Sequence, residues 1–183
     1  MAEWRRLAIP DVIEIVPRRF ADPRGWFAET WSEATFAGIG IDHRWVQDNH
    51  SHSRDRGVLR GLHCQLPPLA QAKLVRVSRG SIHDVAVDLR RGSPTRGRWV
   101  GLTLSAEAGN QLYIPVGFAH GFVTLEDDCE VQYKASAPYD AASERAIRHD
   151  DPAIGIEWPE VGPLTLSARD RAAPLLADAG VEF

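Results

Sequence analysis

A chain of 183 residues holds one domain with a sizeable core and leaves a second one cramped. Hydrophobic residues at 44% and charged ones at 25% exclude a disordered chain, and a formal net charge of -4 offers no basic face for nucleic acid. No apolar run approaches the ~18 residues of a membrane span, and Met1-Ala2-Glu3-Trp4 begins no apolar leader, so cytoplasmic residence is expected. The two cysteines, Cys64 and Cys129, lie far apart and outside metal-ligand spacing; both read as reduced and buried.

The pattern at residues 12–16 predicts a strand closed by Pro17, followed by turn chemistry at Phe20-Ala21-Asp22-Pro23-Arg24-Gly25. An extended stretch over 26–31 leads to a short helix over 32–37, with Ser32 as its cap and Gly38 as its stop. Strands then follow closely at 45–51, 58–65, 73–78, 82–89, 98–104, 111–114, 121–125 and 129–135. Short strands separated by turn residues, with little helical periodicity, predict an all-β protein, and eight such segments fill a double-sheet jelly roll. From residue 138 the chain is loop-rich, with a short helix over 169–177 interrupted at Pro174 and expected to pack across the barrel.

The segment Gly57-Val58-Leu59-Arg60-Gly61-Leu62-His63-Cys64-Gln65 places titratable groups in mid-strand. Ideal alternation puts Arg60 and Cys64 on one face and His63 and Gln65 on the other; for both Arg60 and His63 to meet one ligand, either a bulge near Gly61 shifts the register or one of them reaches around the strand edge. Two patterns here resemble the cupins. Gly109, then Pro115-Val116-Gly117-Phe118-Ala119-His120, matches the second cupin pattern apart from Thr124, which stands for its final asparagine. In the first pattern Gly57 and His63 match, but Gln65 replaces the second metal histidine and Lys73 lies near the missing glutamate. A cation close to the metal position argues against a metal site. Arg60, His63, Lys73, His83, Asp84, His120 and Tyr133 all fall on barrel strands, and so many polar groups are cheaper in a solvated pocket than in a sealed core.

Longer words point to one family. Asp22 to Glu29 (DPRGWFAE), Gln47 to Ser51 (QDNHS), Gly57 to His63 (GVLRGLH), Gln71 to Val75 (QAKLV), Asp84 to Arg90 (DVAVDLR) and Ile114 to Phe122 (IPVGFAHGF) keep their order along the chain. Together they resemble the dTDP-4-dehydrorhamnose 3,5-epimerases over nearly its whole length. The resemblance implies a cupin-type double-stranded β-helix over residues 1–183. The strands and helix of 1–45 would cross to a second copy in a homodimer, and 138–183 would form the loop-rich C-terminal segment.

The family's substrate is a thymidine-diphosphate keto sugar, whose ketone acidifies the protons on both neighbouring carbons. Inversion needs a base, an enolate partner and an acid on the opposite face, and no cofactor. The resemblance implies His63 as base, Asp170 as its supporting carboxylate, Tyr133 as proton donor, and Lys73 with His120 as partners of the enolate or of a sugar oxygen. It implies Arg60 on the diphosphate and Tyr139 on the thymine ring. Arg24, Glu29, Gln47 and Asn49 would be further nucleotide-sugar contacts, and Glu144 and Arg169 peripheral ones. Cys64 departs from the usual tyrosine and Arg169 from the usual lysine; neither removes a proton-transfer group. The rival readings are a mono-epimerase of a related keto sugar, a metal-dependent cupin oxygenase built on His63, His83 and His120, and a binding cupin without turnover.

Overall fold

The computed structural model describes residues 2–183. Two antiparallel sheets face each other across the core. In chain order the strands are β1 (Glu3–Arg6), β2 (Ile13–Val16), β3 (Phe20–Asp22), β4 (Gly25–Phe27), β5 (Gln47–Ser53), β6 (Leu59–Gln65) and β7 (Lys73–Arg79). They continue with β8 (Ser81–Asp88), β9 (Trp99–Ser105), β10 (Gln111–Ile114), β11 (Phe118–Thr124), β12 (Cys129–Ala135) and β13 (Glu144–Ala146). One sheet runs β1-β2-β10-β7-β12-β5 and the other β13-β6-β11-β8-β9, while β3 and β4 form a separate hairpin. This is the jelly roll that the strand spacing predicts.

Side-chain alternation determines what each face buries. Val75 and Val77 of β7, Ile82 and Ala86 of β8, Leu112 and Ile114 of β10, Phe118 and Phe122 of β11 and Val131 of β12 meet between the sheets. Each large side chain buried here contributes about 1.5–3 kcal/mol relative to exposure. Outer faces are covered as well. Leu62, Cys64, Val85 and Val87 pack beneath Ile154, Ala179 and Val181 of the C-terminal segment, which therefore does lie across the barrel. Burial pushes the Cys64 thiol up to about 11, and both cysteines are free.

Several expectations need correction. The helix α1 is Glu33–Ala37, but Ser32 donates its hydroxyl to Glu29 Oε1 at 2.8 Å and does not cap the backbone. Gly38 is right-handed, with φ −62°, and the left-handed glycine comes at Gly40, with φ 86°. Phe20–Asp22, expected as turn, is strand β3, and of the extended stretch over 26–31 only Trp26 and Phe27 are strand. The C-terminal helix is the four-residue α2 (Ala168–Arg171), and a 3-10 turn over Leu176–Asp178 follows Pro174. Strands β1 and β13 carry no buried alternation, because all four residues of β1 are exposed and those of β13 are half-buried. No helix among the described residues is long and apolar enough to cross a membrane.

One irregularity shapes the interior. On β11, His120 pairs with His63 and Phe122 with Arg60, so three steps along β6 oppose two along β11. This is a bulge with its extra residue on β6. Gly61 adopts φ 118°, and a Cβ there would stand 2.6 Å from Gly121 Cα, so only glycine permits the approach. The bulge cancels the alternation that separates Arg60 from His63. Both side chains open into one cleft.

Candidate active site

A cleft of ≈ 340 Å³ opens into the barrel where the inward-facing positions turn from apolar to polar. Its first wall is β6. His63 Nε2 lies 2.6 Å from Asp170 Oδ1, which α2 delivers. Ser167 caps that helix, accepting the Asp170 amide at 3.0 Å, and so fixes where the carboxylate points. Burial alone would raise the Asp170 pKa, but the hydrogen bond and charge of His63, with help from Ser167 and the Gly61 amide, hold it below the usual carboxylate range. An ionised Asp170 accepts only, so Nε2 carries the hydrogen. In a neutral ring that leaves Nδ1 as the lone pair able to take a proton.

The second imidazole, His120 on β11, is deeper. Its Nε2 lies 3.0 Å from both oxygens of Asp84, a fully buried carboxylate on β8. Burial lowers the His120 pKa despite the opposing pull of Asp84, so the ring is neutral at neutral pH. Opposite stand Lys73 of β7 and Tyr133 of β12, with Nζ 5.8 Å from the phenol ring centroid. Burial pushes the Lys73 ammonium down, partly offset by Cys64, Asp84 and Glu144. It pushes the Tyr133 phenol up, with Glu144 adding and Arg60 opposing. The tyrosine is therefore a protonated acid at neutral pH.

At the rim, Tyr139 is 56% exposed. Its hydroxyl donates to Glu144 Oε2 at 2.8 Å, and Arg169 grips the same oxygen. The Tyr139 amide donates to Gln47 Oε1 at 2.7 Å, and Gln47 Nε2 donates to Asn49 Oδ1 at 2.9 Å. Arg60 is steadied by the His52 carbonyl at 3.0 Å and Ser53 Oγ at 3.3 Å.

The fold thus gathers Arg60, His63, Lys73, His120, Tyr133, Arg169 and Asp170 around one cavity, with Gln47, Asn49, Tyr139 and Glu144 linked to its rim. Arg24 and Glu29 are not brought there. Arg24 pairs with Asp22 on the exposed β3–β4 turn, and Glu29 bonds Ser32 and Thr35 beside a separate apolar groove of ≈ 580 Å³. His83 corrects the list of pocket residues. Bulge-free alternation on β8 turns it outward, edge-on to Trp158, while Asp84 faces in. Hence His63, His83 and His120 do not converge as metal ligands, and each of the two cleft imidazoles already has a carboxylate on Nε2. Sequence reasoning missed Ser51, Phe122 and Ser167, which also line the cleft. Ser51 continues the Gln47, Asn49 alternation, Phe122 lies two residues after His120, and Ser167 is a cap three residues before Asp170.

A base pair of imidazole and carboxylate on one wall, with a phenol and a cation on the other, suits the removal and return of a proton at carbon. The fold is a jelly roll, and its cleft has the parts of an acid–base isomerase. The model of the dTDP-4-dehydrorhamnose 3,5-epimerase family matches residues 6–178. The chain belongs to that family. It is 53% identical to the dTDP-4-dehydrorhamnose 3,5-epimerase of Salmonella typhimurium, covering 95% of each chain. It is 49% identical to that of Sinorhizobium fredii, over 98% of this chain and 92% of the relative. The crystal structure of dTDP-6-deoxy-D-glucose-3,5-epimerase from Legionella pneumophila, in complex with dTDP-4-keto-L-rhamnose, superposes with a TM-score of 0.93 at 43% identity, covering 97% of this chain and 94% of that one.

Proposed function

We propose that this enzyme inverts carbons 3 and 5 of dTDP-4-dehydro-6-deoxy-D-glucose, giving dTDP-4-dehydro-L-rhamnose. The observation that carries the reading is the 2.6 Å His63–Asp170 pair in the same cleft as Lys73 and Tyr133. His63 removes the proton beside the ketone, through the ring nitrogen that Asp170 leaves free. Lys73 stabilises the enolate oxygen, the low dielectric of the buried cleft strengthening its charge, while the neutral His120, whose hydrogen goes to Asp84, offers Nδ1 to a sugar hydroxyl. Tyr133 returns a proton from the other face; once His63 has released its proton to solvent and Tyr133 has taken one up, the same cycle at the second carbon completes the reaction. Atoms balance without a redox partner, since each centre loses one proton and regains one.

Arg60 holds the diphosphate, for which a planar guanidinium fork is suited. Tyr139 stacks on the thymine ring, with Gln47, Asn49, Glu144 and Arg169 around the nucleotide sugar. Arg24 and Glu29 serve the cleft of a second copy in a homodimer. The exposed Trp4, Phe20, Trp26 and Phe27 near the N-terminus support that reading, as apolar surface that a partner subunit would cover. Residues 1–183 act as one cupin domain in the cytoplasm.

Incubation with the keto sugar in deuterated buffer tests the chemistry. Uptake at both carbons is expected; uptake at one alone selects a mono-epimerase, and none at either overturns the reading. Tyr133→Phe is expected to spare uptake more than net inversion.

A further inference from the structure

Gln65 stands at the end of β6, two residues after His63, 4% exposed and with no part in the proton transfers above. Its carboxamide is fully engaged. Nε2 donates to the carbonyls of Leu69 at 2.6 Å and Pro138 at 3.1 Å, and Oε1 accepts from the Asp140 amide at 2.8 Å. The partners fix the orientation, because two carbonyls can only accept and an amide N–H can only donate. Two of these bonds fall on the residues immediately before and after Tyr139. One buried side chain on the strand of the base therefore brackets the aromatic at the rim.

The bracket is continued by neighbours. Asp140 closes the turn by accepting the Ser143 amide at 2.8 Å, and Glu144 N donates to the Asp140 carbonyl at 3.1 Å. Tyr139 itself is tied by its amide to Gln47 and by its hydroxyl to Glu144. An aromatic that is 56% exposed would ordinarily sample many positions at a loop tip, yet here backbone and ring are both held. Order established before binding need not be supplied by the ligand, which raises affinity without a new contact.

We infer that Gln65 is a positioning residue that preorganises Tyr139 as a platform for the aromatic base of the nucleotide sugar. The inference rests on the stacking role proposed for Tyr139. It predicts an effect on the nucleoside end of the ligand alone.

The test uses the full chain with Gln65→Met, which keeps the side-chain length and removes every polar atom. Titration with thymidine diphosphate is expected to give about tenfold weaker binding. Inorganic pyrophosphate, which lacks the base, is expected to bind within about twofold of the parent. In turnover KM rises in step while kcat stays within about threefold. Amide hydrogen exchange over residues 138–144 rises, and that over 59–64 does not. In a Tyr139→Ala background the Gln65→Met penalty shrinks below about twofold. Equal losses for both ligands, or a penalty undiminished in that background, overturn the inference. Tyr139→Ala binding thymidine diphosphate as the parent does would instead overturn the stacking role itself. Should Gln65→Met fail to fold, Gln65→Glu keeps the acceptor for Asp140, loses both donors, and is read by the same outcomes.

Discussion

His63 and His120 are direct partners across the β6–β11 ladder, and each bonds a carboxylate through Nε2. The two pairs are nonetheless built differently. Asp84 comes from the middle of a strand and is wholly buried, with a His120 side chain only 7% exposed. Asp170 comes from a four-residue helix packed on the barrel, and the His63 side chain keeps 28% of its surface. Burial decides the consequence. The deep ring is pushed toward its neutral form and suits a fixed hydrogen-bonding group, whereas the shallow ring has access to substrate and a lone pair directed away from its carboxylate.

The largest expected effect separates the pairs by chemistry. His63→Ala is expected to lower deuterium uptake at both carbons by about 10³-fold, the scale of a lost general base, while thymidine diphosphate still binds. Asp170→Asn follows, at about 10²-fold in kcat, because the amide no longer selects the tautomer that leaves Nδ1 free. Both are measured by proton NMR of the exchanging sugar. Unchanged kinetics in Asp170→Asn would remove the difference in function drawn from the two carboxylates.

His120→Asn sharpens the contrast from the other side. An acceptor for a sugar hydroxyl is lost, but Lys73 remains on the enolate oxygen, so kcat is expected to fall only about 10- to 100-fold. A loss as deep as that of His63→Ala would mean that the buried imidazole, not the accessible one, exchanges the proton.

How much of this was legible beforehand follows the same division. Strand positions such as Lys73, His120 and Tyr133 announce their direction through alternation, and the strands β10 and β12 end where turn residues say they should. His63 carried the opposite message. Its face relative to Arg60 depends on a one-residue bulge, and although Gly61 permits that bulge nothing local requires it. Asp170 was found only through resemblance, since the bond joining it to His63 spans 107 residues. The outward turn of His83 was readable from Asp84 next to it, because neighbouring strand residues cannot share a face. Short β1 and β13 gave no signal, lacking any apolar alternation. Ser32 shows why a cap is hard to assign from residue type alone: its hydroxyl had a nearer partner in Glu29.

The smallest expected effect concerns stability, and there the two pairs separate along the pH axis. The folded His120 pKa lies below the ordinary 6.5, so as pH falls through about 6.5 the unfolded chain takes up a proton that the folded ring refuses. Stability is therefore lost on acidification from 6.5 down to the folded value. Asp84, Lys73 and His63 are the charged and titratable neighbours that set this balance. Asp170 is depressed too, but from 3.8, so its contribution is intact above that value and is lost only as pH falls through the folded pKa. Urea midpoints at pH 7.5, 5.5 and 3.5 distinguish the two. The stability gap between parent and His120→Asn is expected to narrow between 7.5 and 5.5, by about 1 kcal/mol or less, the ordinary scale of one substitution. The gap for Asp170→Asn is expected to hold over that range and narrow only toward 3.5. His43 and His83, also lowered by burial, add to the parent's acid lability in the first window, yet they cancel in the difference because both variants retain them. A His120→Asn gap that stays constant from 7.5 to 5.5 would mean that the deep ring accepts a proton as readily in the folded chain as in the unfolded one, and burial would no longer explain its role.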